Sequence, residues 1–170
     1  LFIKNLKTGE ILPTEIKNTN GGSCWANDSK TLFYTKIDPQ TLRSHKVYRH
    51  QVGQTSPKDV LVFHEKDETF NTGIFKSKSE QYLIIESDST LSTESRFLDA
   101  STPEGVFKIF QPRQRGLEYD IAHYGEYFYV LNNADGATNF KLDKTPITHT
   151  ELEHWSEVLP HREDTRLEEV

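Results

Sequence analysis

Side chains able to do covalent or metal chemistry are few and scattered. Cys24 is the only cysteine. A thiol becomes a nucleophile only where a neighbouring base or cation holds it as thiolate. Cys24 stands beside Trp25 at the head of a strand-like run, a setting that suits a small buried residue better. Seven histidines, at 45, 50, 64, 123, 149, 154 and 161, offer imidazole ligands. None falls in a His-Glu-x-x-His pattern or a tight Cys/His group, so no metal site and no cofactor is expected. Glu65, Asp67 and Glu68, with Glu163 and Asp164, could act as acid/base pairs. Charge runs between apolar segments are more simply solvated loops, and that is the expectation for both.

Hydrolytic serines of α/β-hydrolases sit in a Gly-x-Ser-x-Gly elbow. The nearest approach, Gly21-Gly22-Ser23-Cys24, lacks the second glycine and precedes a strand rather than a helix. No Ser, Asp and His occur in a triad-like setting. The expectation is therefore no catalytic residue, and no position is singled out for substrate binding. Asn27-Asp28-Ser29 matches a glycosylation sequon, but the same residues make a turn.

The elements that would carry these residues repeat. TLFYT (Thr31–Thr35), YLIIE (Tyr82–Glu86) and YFYVL (Tyr127–Leu131) start 51 and then 45 residues apart. Each follows a turn: Asn27–Lys30, Ser77–Glu80 and Tyr124–Glu126. Each is followed by further short runs: KVYRHQV (Lys46–Val52) and DVLVFHE (Asp59–Glu65); ESRFLDA (Glu94–Ala100) and VFKIF (Val106–Phe110); TNFKLDK (Thr138–Lys144). Every unit thus holds about four short strands. The second strand is apolar without alternation, as in Leu83-Ile84-Ile85, which predicts burial on both faces. Four-stranded units at this period predict an all-β, partial β-propeller of antiparallel blades, with a β-sandwich as the rival. In the third unit, Thr150-Glu151-Leu152-Glu153 resembles a helix capping box. An outer strand over Trp155–His161, ending near Pro160, is preferred there.

Composition agrees. Charged residues are 27 % and aromatic residues 11 %, too aromatic for a disordered chain. A net charge of −6 argues against nucleic acid as a partner. No run approaches the roughly 20 apolar residues of a membrane span, and the start lacks a signal-peptide pattern. One cysteine forms no intrachain disulfide and points to a reducing compartment, the cytoplasm. There is no methionine, and the chain opens within an apparent strand and turn, which suggests a segment of a longer protein or a processed start. At this period 170 residues hold about three and a half blades, fewer than a closed ring needs. Either further chain or a second copy, associating through open blade edges, would complete the ring.

The runs WANDSKTLFYTKIDPQTLRSHKVYRH, VFHEKDETFNTGI, STESRFLDA, EYDIAHYGEYFYVLNNADGATNFKL and WSEVLPHRE resemble the propeller of the oligopeptidase B group of the prolyl oligopeptidase family of serine peptidases. The resemblance covers nearly the whole chain. It implies a seven-bladed propeller packed on an α/β-hydrolase catalytic domain of the same parent chain. It also implies cleavage of short peptides after Lys or Arg, with the propeller keeping folded proteins from the active site. On this reading residues 1–16 end one blade, 22–66, 70–113 and 117–162 are blades, and 163–170 begin another.

Overall fold

The computed structural model describes all residues, Leu1–Val170. Three four-stranded antiparallel sheets follow a two-stranded one, β1 (Phe2–Lys4) with β2 (Ile11–Glu15). The first blade is β3 (Ser23–Trp25), β4 (Thr31–Ile37), β5 (Ser44–Gln51) and β6 (Val60–His64). The second is β7 (Asn71–Lys76), β8 (Tyr82–Asp88), β9 (Thr93–Asp99) and β10 (Lys108–Ile109). The third is β11 (Tyr119–Tyr124), β12 (Tyr127–Asn132), β13 (Lys141–Pro146) and β14 (Ser156–Leu159). Each is a meander with its strands in chain order, so every connection within a blade is short. The first strands of neighbouring blades approach each other, as β3 does β7. Fourth strands are largely exposed, β14 entirely so. The sheets therefore converge at their first strands and fan out at their fourth, the arrangement of a propeller.

The turn before each second strand has a common solution. Asp28 Oδ1 accepts the backbone N–H groups of Lys30 and Thr31, each at 2.9 Å. Ser77 Oγ accepts the Tyr82 N–H at 3.0 Å in the next blade. Two residues before each second strand the backbone is left-handed: Ser29 (φ 56°), Glu80 (φ 60°) and Gly125 (φ 62°). Only the third of these is a glycine, the residue that adopts this conformation freely.

Packing explains the unbroken apolar runs. One core joins the first two blades through Phe33, Val47, Ile74, Leu83, Ile85 and Leu98. A second joins the second and third through Ile84, Phe97, Phe110, Tyr119, Phe128 and Val130. Consecutive residues of β8 thus serve different cores, since side chains alternate across a strand. A two-sheet sandwich would bury one face of each sheet; here the middle blade is covered on both, which removes the sandwich reading. The second core is aromatic, with Phe97, Phe110 and Phe128 in mutual edge-on contact and Tyr119 stacked on Phe110.

Several details differ from expectation. The fourth strand of the second blade, expected over Val106–Phe110, shrinks to Lys108–Ile109. The third strand of the third blade begins at Lys141 rather than Thr138, because Phe140 has a left-handed backbone (φ 63°) that breaks an extended run. Thr150 caps no helix: its hydroxyl donates to the Phe110 carbonyl at 2.6 Å, stapling two blades. A single 3-10 turn at Leu152–His154 follows instead. The outer strand spans Ser156–Leu159, and Pro160 lies just past it, where no ladder donor is lost. Beyond Pro160 there is one bridge, Arg162 to Thr165. The Leu167 N–H then donates to the Asn139 carbonyl at 3.0 Å, and Arg166 lies over the Phe140 ring.

Candidate functional site

Antiparallel order sorts the loops onto two faces. One carries the turns between second and third strands and the crossovers to the next blade, residues 65–70 and 110–118. The crossover face is where the acidic run lies, solvated at residues 66–69 but not at its first member. Glu65 is buried and pairs with Arg113 at 2.6 Å. Arg113 also reaches Glu94 at 3.2 Å and Asp67 at 3.9 Å, and its guanidinium lies 3.9 Å over the Phe70 ring. Arg96 pairs with Glu94 at 2.6 Å. Burial alone would raise the Glu94 carboxyl; the Arg113 N–H, Arg96 and the Arg113 guanidinium outweigh it and hold the group below the usual range. Arg43 donates to the backbone carbonyls of Asp67 (3.0 Å) and Phe70 (2.8 Å). The charges thus tie one blade to the next. Asp67, Glu68, Glu163 and Asp164 are exposed as expected, Asp164 pairing with Arg162.

On the opposite face Asn27 carries out a similar task. Its side-chain amide donates to the Glu80 carbonyl at 3.1 Å, and its Oδ1 accepts from Lys76 at 2.8 Å. The sequon asparagine is therefore committed to the joint between blades. Gly22 is packed against Thr35, with no room for a Cβ, and belongs to no nucleophile elbow. Cys24 packs against the first core, and burial pushes its thiol up to about 12 despite Lys76, so the thiolate is disfavoured.

Histidines meet in pairs, His45 with His64 and His149 with His154, and no three metal-ligating side chains group around one point. His50 comes nearest to a catalytic arrangement: its Nδ1 donates to Asp59 Oδ1 at 2.7 Å, both side chains being about 1 % exposed. Tyr34 donates to Asp59 Oδ2 at 2.8 Å, and burial with this bond pushes its hydroxyl up. The Nε2 of His50 is buried with no hydroxyl or thiol beside it, so the pair holds β4, β5 and β6 together rather than activating a nucleophile. His123 joins the third blade to the second by bonding Ser79 Oγ at 2.8 Å.

One further group was not singled out from the sequence. Glu86 lies on β8 between Gly73 and Ser95, its cross-strand partners. Burial chiefly, with the neighbouring Asp120 and Asp88, raises its carboxyl to about 7. Asp88 and Asp120 are themselves raised, chiefly by burial. The only hint was a carboxylate inside the otherwise apolar run YLIIES.

Known proteins share this architecture. A family model described as "Prolyl oligopeptidase, N-terminal beta-propeller domain" matches residues 1–170. A protein named dipeptidyl aminopeptidase BI, from Pseudoxanthomonas mexicana, is 40 % identical over 97 % of this chain and 23 % of its own length. Protease 2 of Moraxella lacunata is 31 % identical over 100 % of this chain and 24 % of its own length. The solved oligopeptidase B of Leishmania major superposes with a TM-score of 0.90 at 31 % identity, over 98 % of this chain and 23 % of that one. The chain spans about a quarter of the length of these relatives. It belongs to the prolyl oligopeptidase family, as a segment of an oligopeptidase B-type N-terminal β-propeller.

Proposed function

We propose that this segment is the non-catalytic, access-restricting part of a serine-type oligopeptidase that cleaves short peptides after Lys or Arg. Its direct partner is the α/β-hydrolase domain of the same parent chain. Residues 1–16 are read as the end of one blade, 22–66, 70–113 and 117–162 as blades, and 163–170 as the start of another. The supporting observation is the way the blades are joined. Two continuous apolar cores and the Arg113 network leave no seam through which a folded protein could pass between blades. On this reading passage remains only where the first strands converge. No helix is long and apolar enough to cross a membrane. The single unpaired cysteine supports a reducing, cytoplasmic setting.

The test uses the full-length protein and the isolated chain. The full-length protein is expected to cleave Lys- and Arg-containing peptides and to spare a folded protein containing the same sequence; the isolated chain is expected to cleave neither. Peptides with free and blocked N-termini should be compared, since one relative is named a dipeptidyl aminopeptidase. Equal cleavage of folded and unfolded substrates overturns the access role.

A further inference from the structure

The crossover into the first blade, between β2 and β3, is fastened by one side chain, Asn20. Its amide nitrogen donates to Ser44 Oγ at the head of β5. Its Oδ1 accepts the Gly22 N–H at 3.0 Å and the Thr35 hydroxyl of β4 at 2.5 Å. Ser44 and Thr35 are buried, whereas Asn20 and Gly21 are exposed. A solvent-facing loop is thus clasped to two strands of the blade, as Arg113 clasps the later crossovers with charge.

The same amide is open to attack by its own backbone. Every other asparagine is followed by a residue with a side chain; Asn20 is followed by Gly21. Gly21 has a left-handed backbone (φ 92°), and a Cβ there would meet nothing within 4 Å, so its nitrogen is approachable. Its N–H donates to no acceptor, whereas the N–H groups following Asn132, Asn133 and Asn139 are all engaged. The Gly22 N–H and the Thr35 hydroxyl stand on Asn20 Oδ1, where negative charge develops on attack, as the donors of an oxyanion hole do. Asp135-Gly136 is the other sequence suited to this ring closure, but its carboxylate is paired with Lys141 at 2.9 Å and is a poor electrophile.

We propose that Asn20 is a modification site at which the chain deamidates itself, with water as the only co-reactant. Hydroxide takes the Gly21 amide proton, and the nitrogen attacks Asn20 Cγ. The Cγ–Nδ2 bond breaks, and the amide leaves as ammonia, taking a proton from water and returning the hydroxide. The succinimide ring then adds water at either carbonyl, giving aspartate or isoaspartate. The sum is an amide plus water going to an acid plus ammonia, with no change of oxidation state. Aspartate has no Nδ2 donor for Ser44, and isoaspartate also lengthens the main chain by one carbon. Either product loosens the crossover from β4 and β5. The chemistry is independent of the peptidase reading.

The test is a time course of the full-length protein at neutral and mildly alkaline pH, digested under acidic conditions and mapped by mass spectrometry against an unaged sample. A fragment spanning residues 18–30 holds Asn18, Asn20 and Asn27, which tandem fragmentation separates. Asn20 should gain the mass difference of amide to acid, faster at the higher pH, while Asn18 and Asn27 stay amides. An isoaspartyl methyltransferase should label this fragment from aged wild type and not from Asn20→Gln, whose longer side chain closes the ring far more slowly. Thr35→Val keeps the shape and removes one donor from the oxygen, and conversion should slow about tenfold. The melting temperature of wild type should fall as the converted fraction rises, and that of Asn20→Gln should stay constant with age. No conversion at Asn20, or conversion no faster than at Asn18, overturns the site. Conversion as fast or faster in Thr35→Val shows that the clasp shields the amide, and overturns the activating role given to it.

Discussion

Arg113 and Glu86 are opposite solutions to the same difficulty, a carboxylate removed from water. Arg113 neutralises Glu65 and Glu94, whose side chains are 6 % and 7 % exposed. Arg113→Met in the full-length protein should leave Glu65 without an ion partner and Glu94 with Arg96 alone, and lower its stability by about 3 kcal/mol, read by thermal unfolding at neutral pH. Since Glu94 is held below its ordinary range, its contribution is present above the unfolded carboxyl value and disappears as pH falls through the folded one. The Arg113→Met deficit should therefore shrink in acid. Glu86 has the reverse sign. Its folded value, about 7, lies above that of the unfolded chain, so its proton stabilises below the unfolded value and the benefit is lost as pH rises toward 7. Glu86→Gln should accordingly raise the melting temperature more at pH 8 than at pH 5, by a free energy on the order of 2 kcal/mol. An equal gain at both pH values would show that the carboxyl is not perturbed. Neither role was legible in the sequence. Glu65 sits in a run of charges that looks solvated, because the arginine that claims it lies 48 positions away. Glu86 was hidden because charge inside an apolar strand has no local signature of what faces it.

At the scale of elements the second strands were the most legible part, for a physical reason. They are buried on both faces, so their composition answers to two cores at once and cannot alternate. Ile84→Asp and Ile85→Asp should each prevent folding, and Ile84→Ala and Ile85→Ala should each cost about 2–4 kcal/mol. Tolerance of one but not the other, in denaturant melts, would mean that one face of β8 is wet. Edge strands were read less well. Their length depends on neighbours rather than on their own residues, which is why β10 keeps two residues of an expected five and β13 starts late. The turns offer a further check. Ser29→Gly and Glu80→Gly, at left-handed positions, should gain up to about 1 kcal/mol, whereas Gly125→Ala should lose about as much. Thermal melts of the three variants would rank them directly.

For the molecule as a whole, the fan of sheets was readable from a 51- and 45-residue rhythm, and what the fan does was not. Rhythm reports the size of a repeating unit. Function depends on which side chains meet across the joints, and those meetings are set by blade-to-blade registry that no single segment encodes. Expressed alone, the 170 residues leave Leu42, Leu91 and Val106 among their exposed apolar groups and an uncovered outer edge at β14. Concentration-dependent association in sedimentation is the expected behaviour, and a monomer at all concentrations would show that the end sheets are already closed.

The division of β8 between two cores also constrains how such a chain can change in length. Removing one residue between Leu83 and Glu86 would shift the phase of everything after it. Ile85 would turn toward the neighbour that Ile84 now serves, and Glu86 would enter the first core. A single codon lost there damages two joints together, while one lost from the exposed loop Gly53–Thr55 disturbs local hydrogen bonds such as Thr14 to the Gln54 carbonyl and no core residue. Insertions and deletions in this fold should therefore accumulate in the connections, and each middle strand should behave as a fixed reading frame shared by two neighbours.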